Sequence, residues 1–168
     1  VGSEMCIRDS LVNTLKRARL DIGSSQKPIG TFLFLGPTGV GKTQTAKVLA
    51  RHYFGSAESI IRLDMNEFST EESVQLIVGS PNDGQAVAEG YLARRVQDNP
   101  SALILLDEVE KAHPKVLNVF LQILDEGQLT DSIGATTDFR NTIIIATSNA
   151  GALFIRNLIQ QTLHTDHE

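Results

Sequence analysis

The chain has 168 residues, 15 Lys+Arg against 20 Asp+Glu, a formal net charge of −5, and 41% hydrophobic and 21% charged residues. These proportions fit a globular chain of one domain or a large part of one, long enough to bury about 70% of its unfolded surface without staples. One cysteine excludes an internal disulfide framework, no apolar run reaches the roughly 20 residues that span a bilayer, and the acidic balance argues against a general nucleic-acid binder.

Residues 1–10 show neither helical nor strand periodicity and read like the translation of a transposon-type sequencing adapter. They are set aside as adapter-derived or disordered. Without Cys6 no redox chemistry remains, and a cytoplasmic setting is the expectation. Leu11, Val12, Leu15, Ala18 and Leu20 are spaced for one helical face. Gly23–Pro28 is a turn-rich break. Thr31–Leu35 is a continuous apolar run of the kind buried on both faces of a parallel sheet. A Gly-rich turn follows, then a helix over Thr43–Tyr53 with Ala46, Leu49, Ala50 and Tyr53 on one side. Ile60–Asp64 reads as a second strand. Ser69 and Glu72 have the spacing of a capping box for another helix. Glu89–Gln97 reads as helical and Asn99-Pro100 ends it. Ala102–Leu106 is the most apolar strand and runs into Asp107-Glu108. Pro114 suits a first helical turn, Val116, Leu117, Phe120, Ile123 and Leu124 mark its buried face, and Gly127 stops it. Thr142–Thr147 is a fourth strand. Strands alternating with helices predict an α/β fold with a mostly parallel sheet, and residues 162–168 read as a frayed tail.

Gly36-Pro37-Thr38-Gly39-Val40-Gly41-Lys42-Thr43 matches the P-loop pattern at every required position, with a buried strand before it and an amphipathic helix after it. The glycines let several backbone N–H groups point at a phosphate, and the helix presents its positive end to the same anion. In this pattern Lys42 reaches the β- and γ-phosphates and the Thr43 hydroxyl ligates magnesium.

Asp107-Glu108 ends the strand Leu103–Leu106, and ligands of open parallel sheets bind at the carboxyl ends of strands. If that strand lies near the first, Asp107 serves the magnesium shell, through water, and Glu108 polarises the water that attacks the γ-phosphate. Asn149 closes the fourth strand. Its amide could bond that water or phosphate, but by position alone it reads as a turn residue before Ala150-Gly151.

These elements resemble the AAA+ ATPases of the Clp unfoldase and disaggregase class, most closely their second ATPase module. The resemblance rests on Pro28-Ile29-Gly30, on Gly36–Thr43, on Asp64-Met65-Asn66-Glu67-Phe68 and on Leu105–Pro114. Leu129-Thr130-Asp131, Asp138–Thr142 and Thr147-Ser148-Asn149 complete it. It implies a P-loop NTPase three-layer α/β/α fold, with residues 11–161 as a partial large subdomain. It implies ATP and Mg²⁺ as cofactors, with Lys42, Glu108 and Asn149 catalytic and Asn149 the sensor of the fold. It also implies homo-hexameric rings acting on polypeptide substrates. A peptidase partner stays undetermined, and neither nucleic acid nor membrane is implied.

Three departures from the family pattern qualify this. The family's Gly-aromatic-Val-Gly pore loop is replaced by an aromatic-free stretch, Gly79–Gly90, where Val87 offers less surface to grip a chain than a flat ring. Gly134-Ala135 stands where the family has Gly-Arg. The arginine finger, second sensor arginine, lid and fifth strand would fall beyond Glu168, so this chain alone is expected to bind MgATP, hydrolyse it poorly and expose a sheet edge. Arg140, at the entry to the fourth strand, reads as structural. The missing pore aromatic favours an alternative, a nucleotide-gated assembly or adaptor module that threads nothing. A nucleic-acid motor is disfavoured by the absence of aromatic and basic stripes.

Overall fold

The computed structural model describes residues 26–37, 39, 41–79, 90–132 and 134–149. The helix expected over Leu11–Leu20, Thr38 and Val40, the pore-loop stretch apart from Gly79 and Gly90, and the 162–168 tail lie outside them. The elements follow in the order β1 (Gly30–Leu35), α1 (Lys42–Phe54), β2 (Ile60–Asp64), α2 (Ser73–Val78), α3 (Tyr91–Asp98), β3 (Leu103–Asp107), α4 (Pro114–Glu126), β4 (Gln128–Thr130), β5 (Thr136–Asp138) and β6 (Ile143–Ser148). Short 3-10 turns occupy Met65–Phe68 and Val109–Lys111.

β1, β6, β3 and β2 pair in that order, all parallel. Alternation along the strands divides their side chains between two layers. Leu103, Leu105, Ile143 and Ile145 pack on Ala46, Leu49 and Ala50 of α1. Ile104, Leu106 and Ile144 turn to the other face and meet Leu92, Val96, Val116, Phe120 and Ile123 of α3 and α4. Each fully buried Leu or Ile contributes about 1.5–3 kcal/mol relative to exposure, so the central strands β3 and β6, buried nearly throughout, anchor the sheet. This is the expected P-loop NTPase α/β fold. Because the strands are parallel, their carboxyl ends share one edge: Leu35 lies opposite Ser148 and Asp64 opposite Asp107.

Two sequence expectations change, and the structure adds a strand order and a hairpin that the sequence left open. β1 is not buried on both faces: Leu33 and Leu35 are each 58% exposed, since β1 pairs only with β6 among the described residues and bounds the sheet there. Ser69 does not cap a helix. Met65 and Phe68 bury themselves in a 3-10 turn that ends at Ser69, α2 starts only at Ser73, and its N-cap Glu72 makes no side-chain cap. β3 is not adjacent to β1, because β6 lies between them. The antiparallel β4–β5 hairpin was not expected, three-residue strands being too short to carry a period.

α4 begins as its sequence suggests, with Pro114 in the first turn and His113 Nδ1 accepting the Lys115 N–H at 3.3 Å. It ends at Gly127, left-handed at φ 64°, whose N–H reaches the Ile123 carbonyl at 2.9 Å. A Cβ there would stand 1.9 Å from the Gln26 carbonyl oxygen. Gly127→Ala is therefore expected to destabilise the chain by about 2–3 kcal/mol, from the left-handed penalty and the backbone clash together. Thermal denaturation checks this, and a loss below about 0.5 kcal/mol, the range of an ordinary surface substitution, would contradict it. Arg140 pairs with Asp138 at 2.6 Å, and this bonding holds the Asp138 carboxyl below its ordinary range.

Candidate functional site

The carboxyl edge of the sheet opens into a cleft of about 390 Å³, faced by Gly39, Gly41, Lys42, Thr43, Asp107, Glu108 and Asn149. β1 delivers Gly36 to its rim, and Gly41 (φ 94°) turns the chain into α1 in a left-handed conformation that favours glycine. α1 has no side-chain cap and no acidic residue in its first turn. Its leading N–H groups and the positive end of its dipole therefore remain available to an anion.

Lys42 lies across this opening. Its Nζ donates to the carbonyls of Gly36 at 2.5 Å and Ser148 at 3.3 Å, and to Asn149 Oδ1 at 2.7 Å. None of these partners is a carboxylate, so the ammonium charge is not neutralised by them. Asn149 turns its other side-chain atom, Nδ2, to Glu108 Oε1 at 2.9 Å. One amide thus joins the lysine of the Gly-rich loop to the carboxylate just past β3, and it can do so because β6 runs between β1 and β3.

Asp107 is buried at the tip of β3, and both its oxygens are engaged. Oδ1 accepts the Thr147 hydroxyl at 2.6 Å, and Oδ2 accepts Arg62 Nε at 3.0 Å and Nη2 at 2.7 Å. Glu108 follows in a left-handed backbone conformation, φ 57° and ψ 54°, which costs a non-glycine residue about 1–2 kcal/mol. Its N–H donates to Thr147 Oγ1 at 3.2 Å and its Oε2 accepts from Asn66 Nδ2 at 2.8 Å. Asn66 Nδ2 also donates to Asp64 Oδ1 at 2.8 Å. Asn66, through its side-chain amide first and then its N–H, holds the Asp64 carboxyl below its usual range. Glu110, just past Glu108, accepts the backbone N–H of Asn149 at 3.0 Å. Partial burial pushes the Glu110 carboxyl up, but that N–H, its own backbone and the Ser148 hydroxyl outweigh the effect and leave it below its ordinary value.

The donor set fits a magnesium nucleotide. Among the described residues no cluster of three or more His, Cys, Asp or Glu could hold a metal by itself. Mg²⁺ keeps several waters and is usually shared between one or two protein groups and substrate phosphates, which Thr43 and Asp107 suit.

Residues 27–167 match the family model of the AAA domain (Cdc48 subfamily). The chain belongs to this family. It is 51% identical over 152 residues to the "ATP-dependent Clp protease ATP-binding subunit ClpE" of Lactococcus lactis, covering 90% of this chain and 20% of that protein. It is 48% identical over 164 residues to the "Chaperone protein ClpB" of Aquifex aeolicus, covering 95% and 16%. It is 47% identical over 158 residues to the "Probable chaperone protein ClpB 1" of Chlorobaculum tepidum, covering 94% and 36%. Within its AAA domain the chain is thus similar to one part of these Clp proteins, and it spans well under half the length of these relatives.

Of the described residues singled out from the sequence, Gly39, Gly41, Lys42, Thr43, Asp107, Glu108 and Asn149 line this cleft, and Gly36 and Pro37 follow β1 toward it. Arg62, Asp64, Asn66 and Thr147 were given no site role from sequence. Arg62 carries a signal: it is a charge inside the short strand Ile60–Asp64, on the face where neighbouring β3 presents Leu105. Asn66 and Thr147 carry none, because their partners come from other strands and only the pairing order reveals them.

Proposed function

We propose that this domain binds ATP with Mg²⁺ in the cleft and is the hydrolytic core of a homo-hexameric, cytoplasmic ring ATPase that unfolds or remodels polypeptides. The observation that carries the reading is the Asn149 amide bonded at once to Lys42 and Glu108. In such a site Lys42 and the α1 N-terminus take the β- and γ-phosphates, and Thr43 and Asp107 hold Mg²⁺. Asp107 acts through water, since its oxygens are already engaged by Thr147 and Arg62. Glu108 orients and polarises the attacking water, with Asn149 steadying water and γ-phosphate. No helix among the described residues is long and apolar enough to cross a membrane, and the names of the relatives, a chaperone and a protease subunit, agree with work on polypeptides.

Unfolding of a tagged fluorescent protein by the full-length protein tests the polypeptide part. Loss of fluorescence that requires ATP, and that fails with Glu108→Gln, is the expected result. ATP turnover with no unfolding and no change in any polypeptide's state would overturn it in favour of a nucleotide-gated assembly module.

A further inference from the structure

The left-handed kink at Glu108 has a geometric consequence. It starts the 3-10 turn Val109–Lys111, which brings Glu110 back to the end of β6, where its Oε1 accepts the Asn149 N–H at 3.0 Å. Two carboxylates of one turn therefore grip one residue: Glu108 takes the Asn149 side-chain amide at 2.9 Å and Glu110 takes its main chain. A side-chain amide can bridge Lys42 and Glu108 only while its own backbone is fixed, and Asn149 is the residue immediately after β6, where sheet pairing no longer fixes it.

We propose that Glu110 is a positioning residue for Asn149, holding the backbone from which its amide reaches Lys42 and Glu108. The catalytic consequence rests on the nucleotide-hydrolysis reading above, but the contact itself does not. The Glu110 carboxylate is bonded at the end of β6, to the Asn149 N–H, and Lys42 donates elsewhere, so removal of Glu110 acts on turnover through Asn149 and not on nucleotide affinity.

The test combines amide hydrogen exchange of this chain with ATPase kinetics of the full-length protein. In Glu110→Ala the Asn149 amide is expected to lose protection, and kcat to fall by about 10²-fold with nucleotide Kd unchanged, the size of effect a misplaced reacting geometry produces. Glu110→Gln, whose amide oxygen still accepts an N–H, is expected to retain most of both. In an Asn149→Ala background Glu110→Ala is expected to change kcat no further. Unchanged Asn149 protection in Glu110→Ala would overturn the proposal, as would an equal loss of kcat with and without Asn149. If Asn149→Ala alone left turnover intact, the hydrolysis reading would fall, and the exchange data would still decide whether Glu110 holds the Asn149 backbone.

Discussion

Glu108→Gln is expected to lower ATP turnover by the full-length protein by about 10²–10⁴, the range a positioned general base supplies, while ATP binding persists. Gln keeps the length and shape of the side chain, and its amide oxygen can still accept from Asn149 Nδ2. What it loses is the negative charge that the proposed role assigns to polarising water. Its amide nitrogen would also meet the Asn66 Nδ2 donor that Glu108 Oε2 now accepts at 2.8 Å, so the outer contact turns from attraction to donor against donor. Single-turnover hydrolysis with bound ATP measured separately distinguishes the two steps. Turnover near that of the unsubstituted protein would remove Glu108 from the chemistry.

Lys42→Ala is expected to weaken ATP binding roughly 10–100-fold, the equivalent of the 1.5–3 kcal/mol that a hydrogen bond to a charged group contributes. The direction follows from the surroundings of Nζ. Its carbonyl and amide partners orient the ammonium at the mouth of the α1 N-terminus without cancelling its charge. A phosphate therefore gains a full positive charge together with the N–H groups of the helix. Fold stability should change little, because the lysine is only partly buried and its removal opens no cavity in the core. Competition with a fluorescent nucleotide checks the affinity and a thermal melt checks the fold. Unchanged affinity would place the phosphates elsewhere.

Much of this site was legible in the sequence because its parts are local. The Gly36–Thr43 loop carries its chemistry in consecutive residues, and Asp107-Glu108 follows the most apolar run of the chain, whose burial over its whole length is what the structure displays. The legible part stops where strand order takes over. That β6 inserts between β1 and β3 is invisible to periodicity, yet it is why Asn149, which by position reads as a turn residue, meets Lys42 and Glu108. The same holds for Thr147, which reaches Asp107 across 40 residues of sequence, and for Asn66, which reaches Glu108 across 42. The failed capping box at Ser69 shows the opposite limit. A correct local spacing yielded to burial of Met65 and Phe68, since two apolar side chains outweigh a cap of about 1 kcal/mol.

Isothermal titration of this chain with a non-hydrolysable ATP analogue, with and without Mg²⁺, decides most directly whether the cleft takes a nucleotide. One-to-one binding that strengthens with Mg²⁺ and weakens in Lys42→Ala is the predicted result. A folded chain that shows no heat of binding up to millimolar analogue, or that binds identically without Lys42 and without Mg²⁺, would contradict it.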